Sequence, residues 1–347
     1  MTQPERSDRP VVLVTGGAGY IGSHACAALS DAGYLPVTYD SLALGHREAV
    51  RYGPLEEGDI RDRARLDEVL GRWKPQAVMH FAALIAVGES VVDPALYYDN
   101  NVRGALTLLD AVRAAGVERM VFSSTAAVYG LPESQPINEG AAHAPINPYG
   151  RTKLMIEQAL RDYGAAYGLK SASLRYFNAC GAHPSGEIGE MHEPETHLIP
   201  RCLMAVLGQI EALDLMGWDY PTPDGTCIRD YIHVCDLADA HVAAVRYLEG
   251  GGDTIAMNLG VGRGYSNKEI VDAVGRATGK PVPFRKAPRR PGDPAELVAD
   301  PTLARTTLGW SAQWTDIEAV IETAWRFAQR RAGLAPNAAP ARAPAGA

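Results

Sequence analysis

Val14-Thr15-Gly16-Gly17-Ala18-Gly19-Tyr20-Ile21-Gly22 decides how this chain folds. The residues leading into it, Val11-Val12-Leu13-Val14-Thr15, form a short unbroken apolar run, which reads as a strand buried on both faces. Residues 20–32 read as a helix that Gly33 stops. The glycines therefore occupy a strand–turn–helix junction. Gly16 permits the tight turn, Gly19 lets the backbone approach a pyrophosphate, and Gly22 lets the helix pack close on the strand. The helix start offers unpaired N–H groups and the positive end of its dipole to that anion. The junction predicts a dinucleotide site.

The next strand, residues 35–39, runs into Asp40 and Ser41, with Asp40 24 residues beyond Gly16. A carboxylate there accepts from both adenosine ribose hydroxyls and repels a 2′-phosphate, which favours NAD over NADP. Strands at 55–59, 77–83, 119–124 and 171–176 alternate with helices at 62–73, 93–115 and 148–167. Near-continuous apolar strands alternating with helices mean a parallel sheet covered on both faces. The fold class read from this is α/β: a Rossmann-type doubly wound parallel sheet with a smaller C-terminal α/β substrate domain. The expected divisions are a flexible lead at 1–10, a NAD-binding domain at 11–180, a substrate domain at 181–331 partly interleaved with the first, and a disordered Ala/Pro tail at 332–347. In the second half a loop is expected at 182–194 and helices at 199–207, 236–248 and 266–277.

The chain has 347 residues, 46% hydrophobic and 21% charged, enough for a core of normal size. A net charge of −8 argues against nucleic acid as a partner, because phosphate backbones need clustered Lys and Arg. No apolar run approaches the ~20 residues that span a bilayer, and the polar first ten residues lack the apolar stretch of a secretory signal. Cys26, Cys180, Cys202, Cys227 and Cys235 are odd in number and lack a CxxC. They read as reduced core thiols of a cytoplasmic protein, with no metal site expected.

Tyr149 and Lys153 stand four apart at the start of a helix, on one face. A free phenol, with a pKa near 10, is a poor base at neutral pH. A neighbouring ammonium and a positive nicotinamide ring both favour the phenolate. The pair follows a strand ending Ser123-Ser124-Thr125, and strand ends at the carboxyl edge of a parallel sheet are where such sites form. The Thr125 hydroxyl is placed to hold the reacting oxygen.

TGGAGYIG, GDIRD, HFAA, VGES, YYDNNV, FSST, NPYGRTK and LRYFN, in that order, resemble the extended short-chain dehydrogenase/reductase superfamily. RDYIHV and APRRPGD resemble the UDP-glucose 4-epimerase (UDP-galactose 4-epimerase) family within it, and the likeness runs from about residue 11 to 331. The resemblance implies reversible inversion at C4 of a UDP-sugar. Tyr149 would take the 4-hydroxyl proton as the C4 hydride leaves for NAD, and the 4-keto sugar would turn over before the hydride returns. It places Tyr20, Ile21, Asp40, Ser41, Asp59, Ile60, Phe81, Ala82, Asn100 and Phe177 on NAD, with Lys153 on the nicotinamide ribose. It places Thr125, Asn178, Arg229, Arg290 and Asp293 on the UDP-sugar. It also implies a homodimer through the helices at 93–115 and 148–167. Four residues depart from the family pattern. Ile85 stands where Lys is common, His197 where Asn is frequent near the sugar phosphate, and Met216 where an aromatic flanks uracil. Leu297 stands where Tyr or Cys bounds the sugar, so its volume admits a bulkier 2-substituent such as N-acetyl. Pro194-Glu195-Thr196-His197-Leu198-Ile199-Pro200 resembles epimerases of exopolysaccharide synthesis, some of whose relatives act on UDP-pentoses.

A nucleotide-sugar dehydratase needs an acid and a base directly after the Thr. Ala126 and Ala127 stand there instead. A decarboxylase shares the frame but not the RDYIHV and PRRPGD context. A dinucleotide-sensing scaffold has no need of the Tyr149–Lys153 pair.

Overall fold

The computed structural model describes residues 8–290 and 293–335. Residues 1–7 of the expected lead, 336–347 of the expected tail, and Pro291 and Gly292 of the APRRPGD motif lie outside the described residues.

In chain order the strands are β1 (Val11–Thr15), β2 (Leu35–Asp40), β3 (Leu55–Glu57), β4 (Ala77–His80), β5 (Arg119–Thr125), β6 (Lys170–Tyr176), β7 (Asn178–Cys180), β8 (Leu213–Met216), β9 (Ile228–His233), β10 (Ile255–Leu259), β11 (Gly264–Ser266), β12 (Phe284–Ala287) and β13 (Glu296–Leu297). The helices are α1 (Tyr20–Asp31), α2 (Arg63–Trp73), α3 (Val87–Val92), α4 (Pro94–Tyr97), α5 (Gly104–Ala114), α6 (Pro148–Tyr167), α7 (Leu198–Val206), α8 (Val234–Glu249), α9 (Asn267–Thr278), α10 (Thr302–Leu308) and α11 (Ile317–Arg331).

The main sheet has seven parallel strands in the order β10-β6-β5-β4-β1-β2-β3. The order reverses between β1 and β4, and the crevice outside the carboxyl ends at such a point is where α/β sheets bind ligands. Each face carries its own core. One holds Val12, Val14, Leu29, Met79 and Leu237; the other holds Leu13, Val37, Val78, Leu108, Phe122 and Ile156. A third core, around Leu203, Ile270, Ile321 and Trp325, lies under the smaller sheets of the second half. The small sheet β11-β9-β13, with β7 on β9, carries the second half to the carboxyl edge of the large one.

Several expected elements differ. The helix expected over 93–115 is interrupted, because 98–103 forms a wider π-type turn between α4 and α5. Asn101, buried there, accepts from Leu84 N (2.8 Å) and donates to Leu84 O (3.0 Å), so a tertiary contact overrides the local helix. The strand expected to run to residue 83 ends at His80, where Phe81 N and Ala82 N both turn to bond Thr15 O. β10, α10 and α11 were not expected, and β10 completes the main sheet from well outside the first half.

Candidate active site

The glycine turn is crowded from within and open outward. A Cβ on Gly16, which has φ +75°, would lie 2.6 Å from Ala82 N, and one on Gly22 would lie 2.1 Å from Gly16 O. Gly19 would meet only Gly16 O, at 3.3 Å. No side chain caps α1 and no acidic residue stands in its first turn, so its leading N–H groups suit an external anion. That open turn fits the pyrophosphate of NAD. The Asp40 carboxylate takes Ala18 N (3.0 Å) on one oxygen and Leu42 N (2.9 Å) on the other, which fixes both flanking loops and leaves each oxygen a lone pair. Burial raises its pKa and the two backbone bonds pull it back. Ser41 is exposed.

Further cofactor candidates line the same edge. Ile60 is buried and packs against Gly104. The Asp59 carboxylate, placed on NAD by the resemblance, is gripped by the Arg61 guanidinium, which engages both its oxygens and holds its pKa down. Phe81 is half-buried, with its ring 4.7 Å from that of His241, and Phe177 packs against the small apolar cluster of Ala126, Val128, Tyr129 and Ile137. Asn100 donates to Asn101, which makes the buried contacts. Tyr20 sends its hydroxyl to Gly181 O (2.6 Å), tying α1 to the chain beyond β7. Ile85 is exposed.

Asn147 caps α6 by accepting from Gly150 N (2.8 Å), and Pro148 at the first turn sets the helix start. Tyr149 and Lys153 thus leave the first turns of α6 toward the end of β5. Lys153 is 1% exposed and donates to Ser123 O at 2.8 Å, and its Nζ lies 5.9 Å from the centre of the Tyr149 ring. The Thr125 side chain stands near the Tyr149 phenol and draws its pKa down. The expected lowering of the phenol does not come from the chain itself. Burial pushes Tyr149 up to about 12, only partly offset by Thr125, and burial pushes Lys153 down to about 7. At neutral pH the protein's own groups favour the phenol and only a partly charged amine.

Sequence reasoning missed the polar chain beneath this pair. Ser124 donates to Glu157 (2.5 Å), and Arg175 grips both Glu157 oxygens (2.9 and 2.6 Å) and donates to Tyr129 (2.9 Å). Tyr129 in turn donates to Asn258 (2.7 Å). The available signal was Glu157, four residues beyond Lys153 on the same helix face, with an arginine inside an otherwise apolar strand.

Among the substrate candidates, Arg229 is buried and ion-paired to Asp293 at 2.9 Å, so these two meet. Leu297 pairs with Arg229 in the β13–β9 ladder, and Asn178 with Tyr231 in the β7–β9 ladder. Arg290 O accepts from Asp293 N (3.3 Å). Met216 ends β8 beside Gly217, and Trp218 beyond it stacks on Phe284, with Lys286 Nζ 4.0 Å from its ring centre. His197 turns Nδ1 to Glu190 (2.8 Å) and Glu195 (2.9 Å). Burial opposes its charging, but the two carboxylates outweigh that and hold its pKa near 10. This gathering of Glu190, His192, Glu195 and His197 was not expected.

A twisted parallel sheet with an uncapped glycine turn and a Tyr–Lys pair at its carboxyl edge defines a Rossmann-class dinucleotide protein. A family model described as the NAD dependent epimerase/dehydratase family matches residues 12–260, and the chain belongs to that family, within the UDP-glucose 4-epimerase group. A UDP-glucose 4-epimerase of Rhizobium meliloti is 58% identical over 92% of this chain and 97% of that relative. The crystal structure of UDP-glucose 4-epimerase from Brucella ovis in complex with NAD is 55% identical, with a TM-score of 0.89 over 91% of this chain and 97% of that one. That of UDP-glucose-4-epimerase from Stenotrophomonas maltophila, with bound NAD and formylated UDP-arabinopyranose, is 43% identical, with a TM-score of 0.90 over 94% of this chain and 99% of that one.

Proposed function

We propose that this chain is an NAD-dependent isomerase that reversibly inverts C4 of UDP-glucose and UDP-galactose through a 4-keto sugar. The observation that carries the reading is the buried Tyr149 phenol, with Thr125 near it and a buried Lys153 beside its ring, at the carboxyl end of a strand that neighbours the glycine-turn strand through β4. Bound NAD would supply the hydride acceptor and donor, and its positive ring the charge that favours the phenolate. Asp40 would hold its adenosine ribose, Gly16, Gly19 and Gly22 its pyrophosphate, and Lys153 its nicotinamide ribose.

Tyr149 would accept the 4-hydroxyl proton and return it to the same oxygen once the hydride has come back to the opposite face of C4, while Thr125 orients that oxygen. Lys153, anchored on Ser123 O, would stabilise the phenolate. Arg229, held by Asp293, and Arg290 would keep the diphosphate fixed as the sugar turns, which places binding energy on the part that does not react. Ala126 is buried and Ala127 bonds Thr125 through its backbone, so neither offers the acid or base of a dehydratase.

The test is incubation with UDP-galactose, UDP-N-acetylgalactosamine and UDP-xylose separately, without added NAD, followed by product analysis. Formation of UDP-glucose is expected. No product in any arm overturns the reading, and product only in the second or third moves the substrate to an N-acetylhexosamine or a pentose.

The working form we propose is a cytoplasmic homodimer. All five cysteines are free thiols, which suits a reducing compartment. No helix among the described residues is long and apolar enough to cross a membrane. Val87, Val91 and Val92 on α3, Leu96 on α4, Leu106 on α5 and Met155 on α6 are all exposed, and α3, α4 and α5 each pack against α6. That much exposed apolar surface on neighbouring helices marks an interface.

A further inference from the structure

Between β7 and α7 the chain folds Glu190, His192, Glu195 and His197 onto one centre. One ligand atom from each residue lies within 4.8 Å of all the others. Both imidazoles aim Nδ1 at the same Glu190 oxygen, His192 at 2.9 Å and His197 at 2.8 Å. Glu195 closes the group, with Oε1 2.9 Å from His197 and Oε2 3.9 Å from His192. We propose that this cluster is a tetrahedral binding site for Zn²⁺, with two imidazole nitrogens and two carboxylate oxygens as ligands.

Geometry is the first support. Zinc bonds of 2.0–2.2 Å to N and O place tetrahedral ligands about 3.3 Å apart; the Glu190 oxygen lies 2.9 and 2.8 Å from the two imidazole nitrogens, and one ligand atom from each of the four residues lies within 4.8 Å of the others. Small side-chain rotations complete the site. The second support is the donor set. Two imidazoles, which give up their Nδ1 protons as the ion binds, together with two carboxylates suit a borderline cation such as Zn²⁺ better than Mg²⁺ or Ca²⁺, which take all-oxygen sets. Two imidazoles crowded on one carboxylate oxygen must both present protons to it, whereas one divalent ion satisfies all four groups at once. Orientation is the third. Glu195 Oε1 accepts from Thr196 N (2.7 Å) and His197 N (2.8 Å), and the loop backbone is held by His46 Nε2 on Met191 O (2.7 Å). The Glu190 and Glu195 side chains are each 7% exposed, so solvent competes little for the ion.

The spacing Glu-x-His-x-x-Glu-x-His is local, and the ligands need no other element. A bound ion would clamp the segment that ends in His197, at the start of α7. It takes no part in the proton or hydride steps, so the inference stands or falls separately from the proposed reaction.

The experiment uses the full chain without a histidine tag. The protein is dialysed against Zn²⁺, then against metal-free buffer, and its metal content is measured. About one zinc per chain is expected, together with the visible d–d bands of tetrahedral Co²⁺ when cobalt is used instead. His192→Asn and Glu195→Gln should each lose the metal, while His143→Asn, at an exposed residue, should keep it. Zinc should raise the thermal midpoint of the wild type and not of those two variants. Retention of less than about a tenth of an equivalent by the wild type overturns the proposal, because a structural zinc site holds its ion far more tightly than that. So do octahedral cobalt bands, or equal metal in both ligand variants. The cobalt spectrum needs no variant, so a variant that fails to fold leaves the proposal open to refutation.

Discussion

At the scale of single residues, two groups decide the chemistry, and burial drives both away from their working charge. Tyr149 sits near pKa 12 and Lys153 near 7 before any cofactor charge is counted. Tyr149→Phe should therefore cut turnover by about 10²–10⁴-fold while dinucleotide content, measured in acid extracts, stays at the wild-type level. Retained turnover would remove the phenol from the mechanism. Lys153 makes a second prediction through linkage. Its folded pKa is lowered by burial from 10.5 to about 7, so between those values the unfolded chain holds a proton that the folded chain has released. The penalty for folding over a buried amine is full below pH 7 and fades as pH rises toward 10.5. In nucleotide-stripped protein, Lys153→Met should melt a few degrees above wild type at pH 6, and the gap should close by about pH 10. A gap independent of pH would show that the amine is not held neutral.

At the scale of elements, the junction of β1 and α1 separates two jobs that its glycines do. A methyl on Gly22 would drive into Gly16 O at 2.1 Å, backbone against backbone, so Gly22→Ala should cost stability by about 1–3 kcal/mol in urea unfolding as well as dinucleotide. A methyl on Gly19 meets nothing closer than 3.3 Å within the chain, and would occupy space where the proposed pyrophosphate approaches the backbone. Gly19→Ala should keep the urea midpoint and lose dinucleotide. If both variants lose the same stability, the turn serves packing alone. This junction was legible because all its determinants are local: an apolar run, three glycines and a helix pattern. The helix stop at Gly33 was legible for the same reason, the glycine taking the positive φ that ends a helix. The elements missed depend on distant partners. β10 is a strand because β6 offers it a ladder, and the wide turn at 98–103 exists because Asn101 reaches Leu84. The site divides in the same way. Tyr149 and Lys153 share one helix face and could be read. The grip of Arg175 on Glu157 joins a strand to a helix, so the sequence marks each charge as out of place but only the fold shows that they pair.

At the scale of the whole molecule, the exposed apolar face of α3 to α6 needs a partner, and a second copy of the chain is the simplest one. Two antiparallel copies of a helix pair across a two-fold axis bring each residue near the axis close to its own twin. A standard interface buries about 800 Å² on each partner, and a charge placed at its centre must be either desolvated or set against the same charge. Leu106 and Met155 are 40% and 42% exposed, so a charge on either is compatible with a folded single chain. Leu106→Glu and Met155→Glu should therefore elute at the mass of one chain at micromolar concentration, with an unchanged circular dichroism spectrum, where the wild type elutes at the mass of two. Each protomer carries its own Tyr149, Lys153, Thr125 and glycine turn, so the separated chain should keep its dinucleotide and lose turnover only as far as α6 loosens. If the wild type itself elutes as one chain, the apolar face has another occupant and the dimer is wrong.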